Sequence, residues 1–272
     1  MNGSSARPTG DPLVVLDGVS EAYRTRNKMG FRRRGGEHLA LRDLSLNVRP
    51  SQMLGVIGGN GSGKTTLLQI VAGVIPPTSG TVTVQGRTAS LVDLSAGFHR
   101  DLTGRENLLI GGVLLGLTRN EVRDRYDEII AFSGLDAATL DWPLASYSAG
   151  MGLRLGFSLI VHTAPDVLLV DEVLAVGDSG FQRQCVERVE LLRAGGTAVM
   201  LVSHDMSLVR SRCDSVLLLD RGVPVYLGDP ATAIARHLDA PLGEEESTPP
   251  AERALYETSW RVQAARRRRG VQ

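Results

Sequence analysis

Residues 58–66 read Gly-Gly-Asn-Gly-Ser-Gly-Lys-Thr-Thr, a full match to the pattern G-x-x-x-x-G-K-[ST]. Residue types in this order can hold phosphate. Glycines let the backbone curl until successive N–H groups point inward, which makes a nest for anionic oxygens. A helix that starts there adds its partial positive charge. In that chemistry Gly58, Gly59, Asn60, Gly61, Ser62, Gly63 and Thr66 line the loop. Lys64 reaches the β- and γ-phosphates of a nucleoside triphosphate, and Thr65 offers its hydroxyl to Mg²⁺. The bland alternative is a glycine-rich turn.

Three further stretches carry chemistry. Val167-Leu168-Leu169-Val170-Asp171-Glu172 is an apolar run that ends in two acids. A buried strand of this kind delivers carboxylates at its C-terminal end, where open α/β sheets bind ligands. Asp171 is the candidate Mg²⁺ ligand, and Glu172 the candidate base for the attacking water. In Leu201-Val202-Ser203-His204-Asp205 a histidine follows another strand, one strand-helix unit later, within reach of a γ-phosphate. Tyr147-Ser148-Ala149-Gly150-Met151 precedes a helical run. Ser148 and Gly150 suit an anion there, although an ordinary N-cap explains the pentapeptide equally well by itself.

The elements that must position these groups alternate along the chain. Leu54–Ile57 reads as a strand before the loop, and Leu67–Ala72 as the helix after it, ended by Gly73. Earlier strands are expected at Leu13–Val19 and Leu39–Val48, the latter with a slip near Asp43. The stretch from Tyr23 to His38 reads as irregular and basic. Thr81–Gly86 is a strand and turn, and Ala89–Leu94 a further strand. Helical spacing dominates from about residue 100 to 163, in Gly104–Leu117, in Glu121–Ser133 and again after Gly150, as expected of an inserted helical lobe. Strands return at Val167–Val170, Thr197–Val202 and Val216–Leu219, with helices at Phe181–Arg193 and Met206–Arg212. Val223–Leu227 is an edge strand, because Pro224 cannot donate to a ladder. Such alternation predicts a parallel sheet covered on both faces.

Composition bounds the rest. The chain has 272 residues, 42% of them hydrophobic, and a formal net charge of zero, so overall charge makes no case for nucleic acid. Arg32–Arg34, Arg266–Arg269 and Glu244–Glu246 are charge runs of the solvated kind. Cys185 and Cys213 have no metal or redox spacing and fit a reducing compartment. Residues 1–12 read as a disordered polar tail, 13–238 as the domain that carries the phosphate loop, and 239–272 as a linker and basic tail with a helical candidate at Glu252–Arg269. No run is long and apolar enough for a bilayer span, so the expectation is a soluble cytosolic protein to which another chain supplies any membrane part.

Phosphate loop, helical lobe, Ser-x-Gly pentapeptide, Asp-Glu strand and Ser-His-Asp, in this order, resemble the ATP-binding subunit of ABC transporters over roughly residues 13–238. The resemblance implies an α/β P-loop nucleotide-binding domain with a mostly parallel core sheet, an antiparallel β portion and an inserted α-helical lobe. It implies ATP and Mg²⁺ as ligands and hydrolysis to ADP and phosphate. It also implies that Ser148 and Gly150 contact ATP held by a second copy of the chain, that Tyr23 stacks on adenine, and that Asp178 sits where the copies meet. Four stretches look like ATPases that export bacterial surface polysaccharides such as O-antigen, galactan and teichoic acid. They are Ala96–Asn107, Tyr147–Met151, Asp171–Asp178 and the basic segment between Tyr23 and Leu39.

By the same resemblance the partners are an integral membrane permease and a second copy in an ATP-sandwich dimer, without nucleic acid. The place of work is the cytoplasmic face of the inner membrane. The chain is expected to be too short for the C-terminal carbohydrate-binding domain that some such exporters carry. Two departures stand out. The usual Leu-Ser-Gly-Gly-Gln is Tyr-Ser-Ala-Gly-Met here, and the usual glutamine before the helical lobe is missing. Asp93, beside Leu94, is the nearest acidic substitute as a metal ligand. Rival readings are a soluble ABC-type ATPase acting on ribosomes or DNA, a class that generally has two cassettes in one chain or a long coiled coil, and the ATPase of another transporter class.

Overall fold

The structure, a computed structural model, describes residues 10–24, 37–91, 98–171 and 178–239. Val14–Arg24 (β1), Glu37–Val48 (β2) and Ser79–Val84 (β4) form an antiparallel sheet in the order β2-β1-β4. Both strands of the first pair run further than expected. Tyr23 pairs with His38, so the ends of the stretch read as irregular are strand, and its middle lies outside the described residues. The slip foreseen near Asp43 is a bulge: Asp43 has φ 46°, and its N–H donates to the Ser20 hydroxyl at 2.9 Å.

The second sheet contains Met53–Ile57 (β3), Thr88–Ser90 (β5), Val167–Asp171 (β6), Ala198–Val202 (β7), Ser215–Asp220 (β8) and Val223–Gly228 (β9), in the order β5-β6-β7-β3-β8-β9. All pairs are parallel except β8 with β9, which is the edge strand that Pro224 marks. The helices are Lys64–Val71 (α1), Gly104–Leu114 (α2), Arg119–Asp124 (α3), Tyr126–Ser133 (α4), Ala149–His162 (α5), Ser179–Ala194 (α6), Met206–Arg212 (α7) and Pro230–Asp239 (α8).

Strand alternation divides the core in two. Leu54, Val56, Val167, Leu169, Met200, Val202, Leu217 and Leu219 pack with α1 and with the inner residues of the antiparallel sheet, Leu16, Leu41, Leu44 and Leu46. Met53, Ile57, Leu168, Val170, Val199, Leu201, Val216 and Leu218 pack with Phe157, Phe181, Val189, Val209 and Ile234 from the helices opposite. The helical lobe has its own cluster, Leu108, Ile129, Leu140, Leu155 and Leu159. Helix α5 joins lobe to body, since Leu155 and Leu159 face the lobe while Phe157, Ile160 and Val161 face the main core.

Three expectations need correction. The helix expected over Glu121–Ser133 is two, parted at Arg125, whose φ is −100° and whose guanidinium donates to the His162 carbonyl at 2.8 Å. The helix expected over Gly104–Leu117 stops at Leu114, before Gly116 at φ 88°. Helix α8 was not foreseen. It starts at Pro230, directly after Asp229, whose carboxylate accepts the Thr232 N–H at 2.9 Å. Among the described residues no helix is long and apolar enough to cross a membrane.

Candidate nucleotide-binding site

The phosphate loop leaves the buried strand β3 and is wedged between β2 and β8. Gly63 (φ 103°) and Gly58 (φ 151°) allow this: a Cβ would lie 2.4 Å from the Ala40 carbonyl oxygen at Gly63 and 2.2 Å from that of Leu219 at Gly58. The Ser62 carbonyl accepts the N–H of Gly222, in the turn between β8 and β9, at 3.0 Å. Above this seat, Gly59, Asn60, Gly61 and Thr65 are exposed.

The loop is prepared for an anion. Helix α1 has no side-chain cap and no acid in its first turn, so its leading N–H groups and partial positive charge face the loop. Lys64 is buried and folds back, its Nζ donating to the carbonyls of Gly58 and Gly59 at 2.9 Å each. The Ser62 hydroxyl is buried and has no hydrogen-bond partner among the described residues. A cradle that only glycines fit, one ammonium and a spare hydroxyl donor match a polyphosphate.

Tyr23 reaches this loop from β1. Its hydroxyl lies 3.5 Å from Thr66 Oγ1, and the side chain is 41% exposed, which leaves an aromatic surface beside the first turn of α1.

Strand β7 is hydrogen-bonded to both β3 and β6, so the carboxyl ends of all three share one edge. Asp171 closes β6 opposite Val202. His204 follows β7 and is exposed, while Asp205 caps α7 through the N–H groups of Ser207 and Leu208. Thr65 and Asp171 supply the hard oxygen donors that suit Mg²⁺. Among the described residues, no group of three or more His, Cys, Asp or Glu gathers as a metal cluster. Glu172 and Asp93 lie outside the described residues, as do 173–177 and the start of the Ala96–Asn107 stretch.

The structure adds His237, which sequence reasoning missed along with its helix. Because β9 returns antiparallel to β8, α8 climbs back toward the same edge. The His237 imidazole is held below its ordinary pKa, first by burial and then by the Lys64 ammonium nearby.

Ser148 is the N-cap of α5, accepting the Met151 N–H at 3.2 Å. Ser148 and Ala149 are exposed, and the first turn holds no acid. A Cβ on Gly150 would meet nothing nearer than the Ser148 hydroxyl at 4.0 Å, and one on Gly152 nothing within 4 Å. The helix tip is open, small and uncharged.

Asp178 caps α6, accepting the N–H groups of Gly180 and Phe181 at 2.9 Å each. The Phe181 N–H, with help from the Arg154 charge, holds its carboxyl below the usual range. Arg154, on α5, ion-pairs with Asp178 and lies 4.8 Å over the Phe181 ring.

Comparison with known proteins bears on the family and the fold. The sequence profile of the ABC transporter family matches residues 41–175. The O-antigen export system ATP-binding protein RfbB of Myxococcus xanthus is 44% identical over 216 residues, which are 78% of this chain and 49% of that protein. The protein of the same description from Klebsiella pneumoniae is 46% identical over 187 residues, 69% of this chain and 76% of that one. The match thus spans about half the length of the first relative and about three-quarters of the second. A solved structure, a dimeric post-hydrolysis state of an ATP-binding cassette bound to ADP and Pi, superposes with a TM-score of 0.66 over 80% of this chain and 98% of that one. At 20% identity it shows the shared fold.

Proposed function

The chain belongs to the ABC transporter family, and from that premise we propose that it is an ATP-hydrolysing subunit that dimerises on ATP and drives a separate membrane subunit exporting a lipid-linked surface polysaccharide. One observation carries the reading. The chain has a phosphate cradle at Gly58–Thr66 and, on another element, an exposed helix tip at Ser148–Gly150 with open space above it. Each is half of an enclosure. A two-fold head-to-tail pair sets Ser148 of one copy against the phosphates held at Lys64 of the other, using one self-complementary surface.

The chemistry follows from the groups at the edge. The loop N–H groups and Lys64 bind the β- and γ-phosphates of ATP. Thr65 and Asp171 are the residues that would hold Mg²⁺, which when bound neutralises phosphate charge. Glu172 takes a proton from the attacking water, and His204 steadies the γ-phosphate oxygens. Tyr23 stacks on adenine. Asp178, fixed by Arg154, belongs to the surface between copies. Phosphoryl transfer to water asks for positioning and electrostatics, which closure of the second copy completes. Hydrolysis adds charge repulsion, the copies part, and that motion is passed to the membrane subunit.

Support for a surface polysaccharide as cargo comes from the two relatives named for O-antigen export. Ile110, Val113 and Leu114 of α2 stand exposed on the helical lobe, an apolar surface suited to a membrane partner. The test is gentle affinity purification of the tagged chain from its own membranes. Recovery of a stoichiometric integral membrane protein, encoded beside glycosyltransferases, is the expected result. Ribosomal or DNA-repair partners alone would refute the export reading.

A further inference from the structure

The turn at residues 99–103 is built around one buried side chain. Asn107 is fully buried, and its Nδ2 donates to the carbonyls of His99, Leu102 and Thr103 at 3.0, 3.0 and 2.9 Å, while its Oδ1 accepts the His99 N–H at 2.6 Å. A fully satisfied buried amide of this kind is rigid, because loosening it strands several polar groups away from water. The turn it holds is a platform. The Arg100 and Leu102 carbonyls accept the N–H groups of Ala145 and Leu144 at 2.7 and 2.9 Å, and the Gly104 N–H donates to Trp142 at 3.2 Å.

Tyr147 closes this arrangement. Its hydroxyl donates to the Thr139 carbonyl at 2.8 Å, and the hydroxyl end of the ring lies against Gly104. A Cβ at Gly104 would lie 2.2 Å from the hydroxyl oxygen and 3.1 Å from Cζ. The next residue is Ser148, the N-cap of α5.

We propose that Tyr147 is a positioning residue for Ser148: its hydroxyl bond to Thr139 and its contact with Gly104 pin the last loop residue before the helix tip to the platform that Asn107 holds, and so fix the placement in which Ser148 meets the nucleotide of a second copy. The proposal rests on the ATP-sandwich reading above. Side chains that act across an interface must be held to within about half an ångström, which one exposed capping serine cannot do for itself. The pin acts on the tip alone, since Tyr147 takes no part in the phosphate cradle.

The test uses the full chain carrying Glu172→Gln, so that bound ATP persists. Light scattering against ATP concentration gives the midpoint of dimerisation, and a fluorescent ATP analogue on dilute, monomeric protein gives the affinity of the phosphate loop. Adding Tyr147→Phe is expected to raise the dimerisation midpoint about three- to tenfold, the effect of one lost hydrogen bond. Phosphate-loop affinity is expected to stay within about twofold, because no cradle group is touched. Gly104→Ala, which drives a methyl into the hydroxyl, should raise the midpoint more. Combining the two should cost less than the product of the single effects, because removing the hydroxyl relieves the clash.

An unchanged midpoint in folded Tyr147→Phe protein overturns the proposal. So does an equal loss of phosphate-loop affinity, or single effects that simply multiply. If the parent carrying Glu172→Gln alone does not dimerise with ATP, the sandwich reading fails instead, and the two failures are distinct.

Discussion

Arg154 of α5 pairs with the carboxylate of Asp178, so the helix that presents Ser148 is tied by one guanidinium to the cap of α6. The same guanidinium lies over Phe181 and donates to the Ser133 carbonyl at the end of α4. The end of α4, helix α5 and the start of α6 therefore meet at Arg154. Asp178→Asn keeps a good N-cap but loses the charge pair, whereas Asp178→Ala loses both. Thermal unfolding should show the alanine variant lower by a few degrees and the asparagine variant close to the parent. In ATP turnover both should fall, because coupling at Arg154 needs the charge.

Glu172→Gln should retain ATP binding and lose on the order of 10²–10⁴ in turnover, the usual contribution of a general base. Lys64→Ala should instead weaken binding, because it removes the buried ammonium over the loop. Steady-state hydrolysis and nucleotide titration separate the two. Normal turnover in Glu172→Gln would remove that residue from the role.

Tyr23→Ala should lower ATP affinity about fivefold or more, in line with the contribution of base–aromatic stacking. Tyr23→Phe should bind nearly as the parent, because the 3.5 Å approach to Thr66 is marginal as a hydrogen bond. Equal losses in both variants would show that the hydroxyl matters and the ring does not.

His162 predicts a pH dependence of stability. It is buried, its Nδ1 lies 2.6 Å from the Ser158 carbonyl, and burial holds its pKa below the ordinary 6.5. The unfolded chain binds this proton more readily than the fold does. The stability it contributes is therefore present above about pH 6.5 and is lost as pH falls through the lower, folded value. His237 acts in the same direction. Chemical unfolding between neutral and mildly acid pH should show falling stability, less steeply in His162→Gln.

Most of the site was legible because its parts are local in sequence. A nest needs consecutive glycines, a strand end needs an apolar run before its acid, and a cap needs a serine before a helix. Thus the expected element positions are seen: Gly58–Thr66 joins β3 to α1, Asp171 ends β6, Ser148 caps α5 and His204 follows β7. What could not be read arises from tertiary contact. No spacing rule connects Asn107 with residues 144–145, or Tyr147 with Gly104, since these meet only when the lobe folds. The break at Arg125 answers to the His162 carbonyl, which lies far along the chain. Helix α8 is a different case: Asp229-Pro230 announces a helix start, and that signal was available.

The central claim is that ATP joins two copies through Ser148. Light scattering of Glu172→Gln protein should read 29.2 kDa without nucleotide and with ADP, and twice that mass with ATP. Ser148→Arg in the same background should stay monomeric while still binding nucleotide. A mass that does not change with ATP, or a Ser148→Arg protein that dimerises as well as its parent, would contradict it.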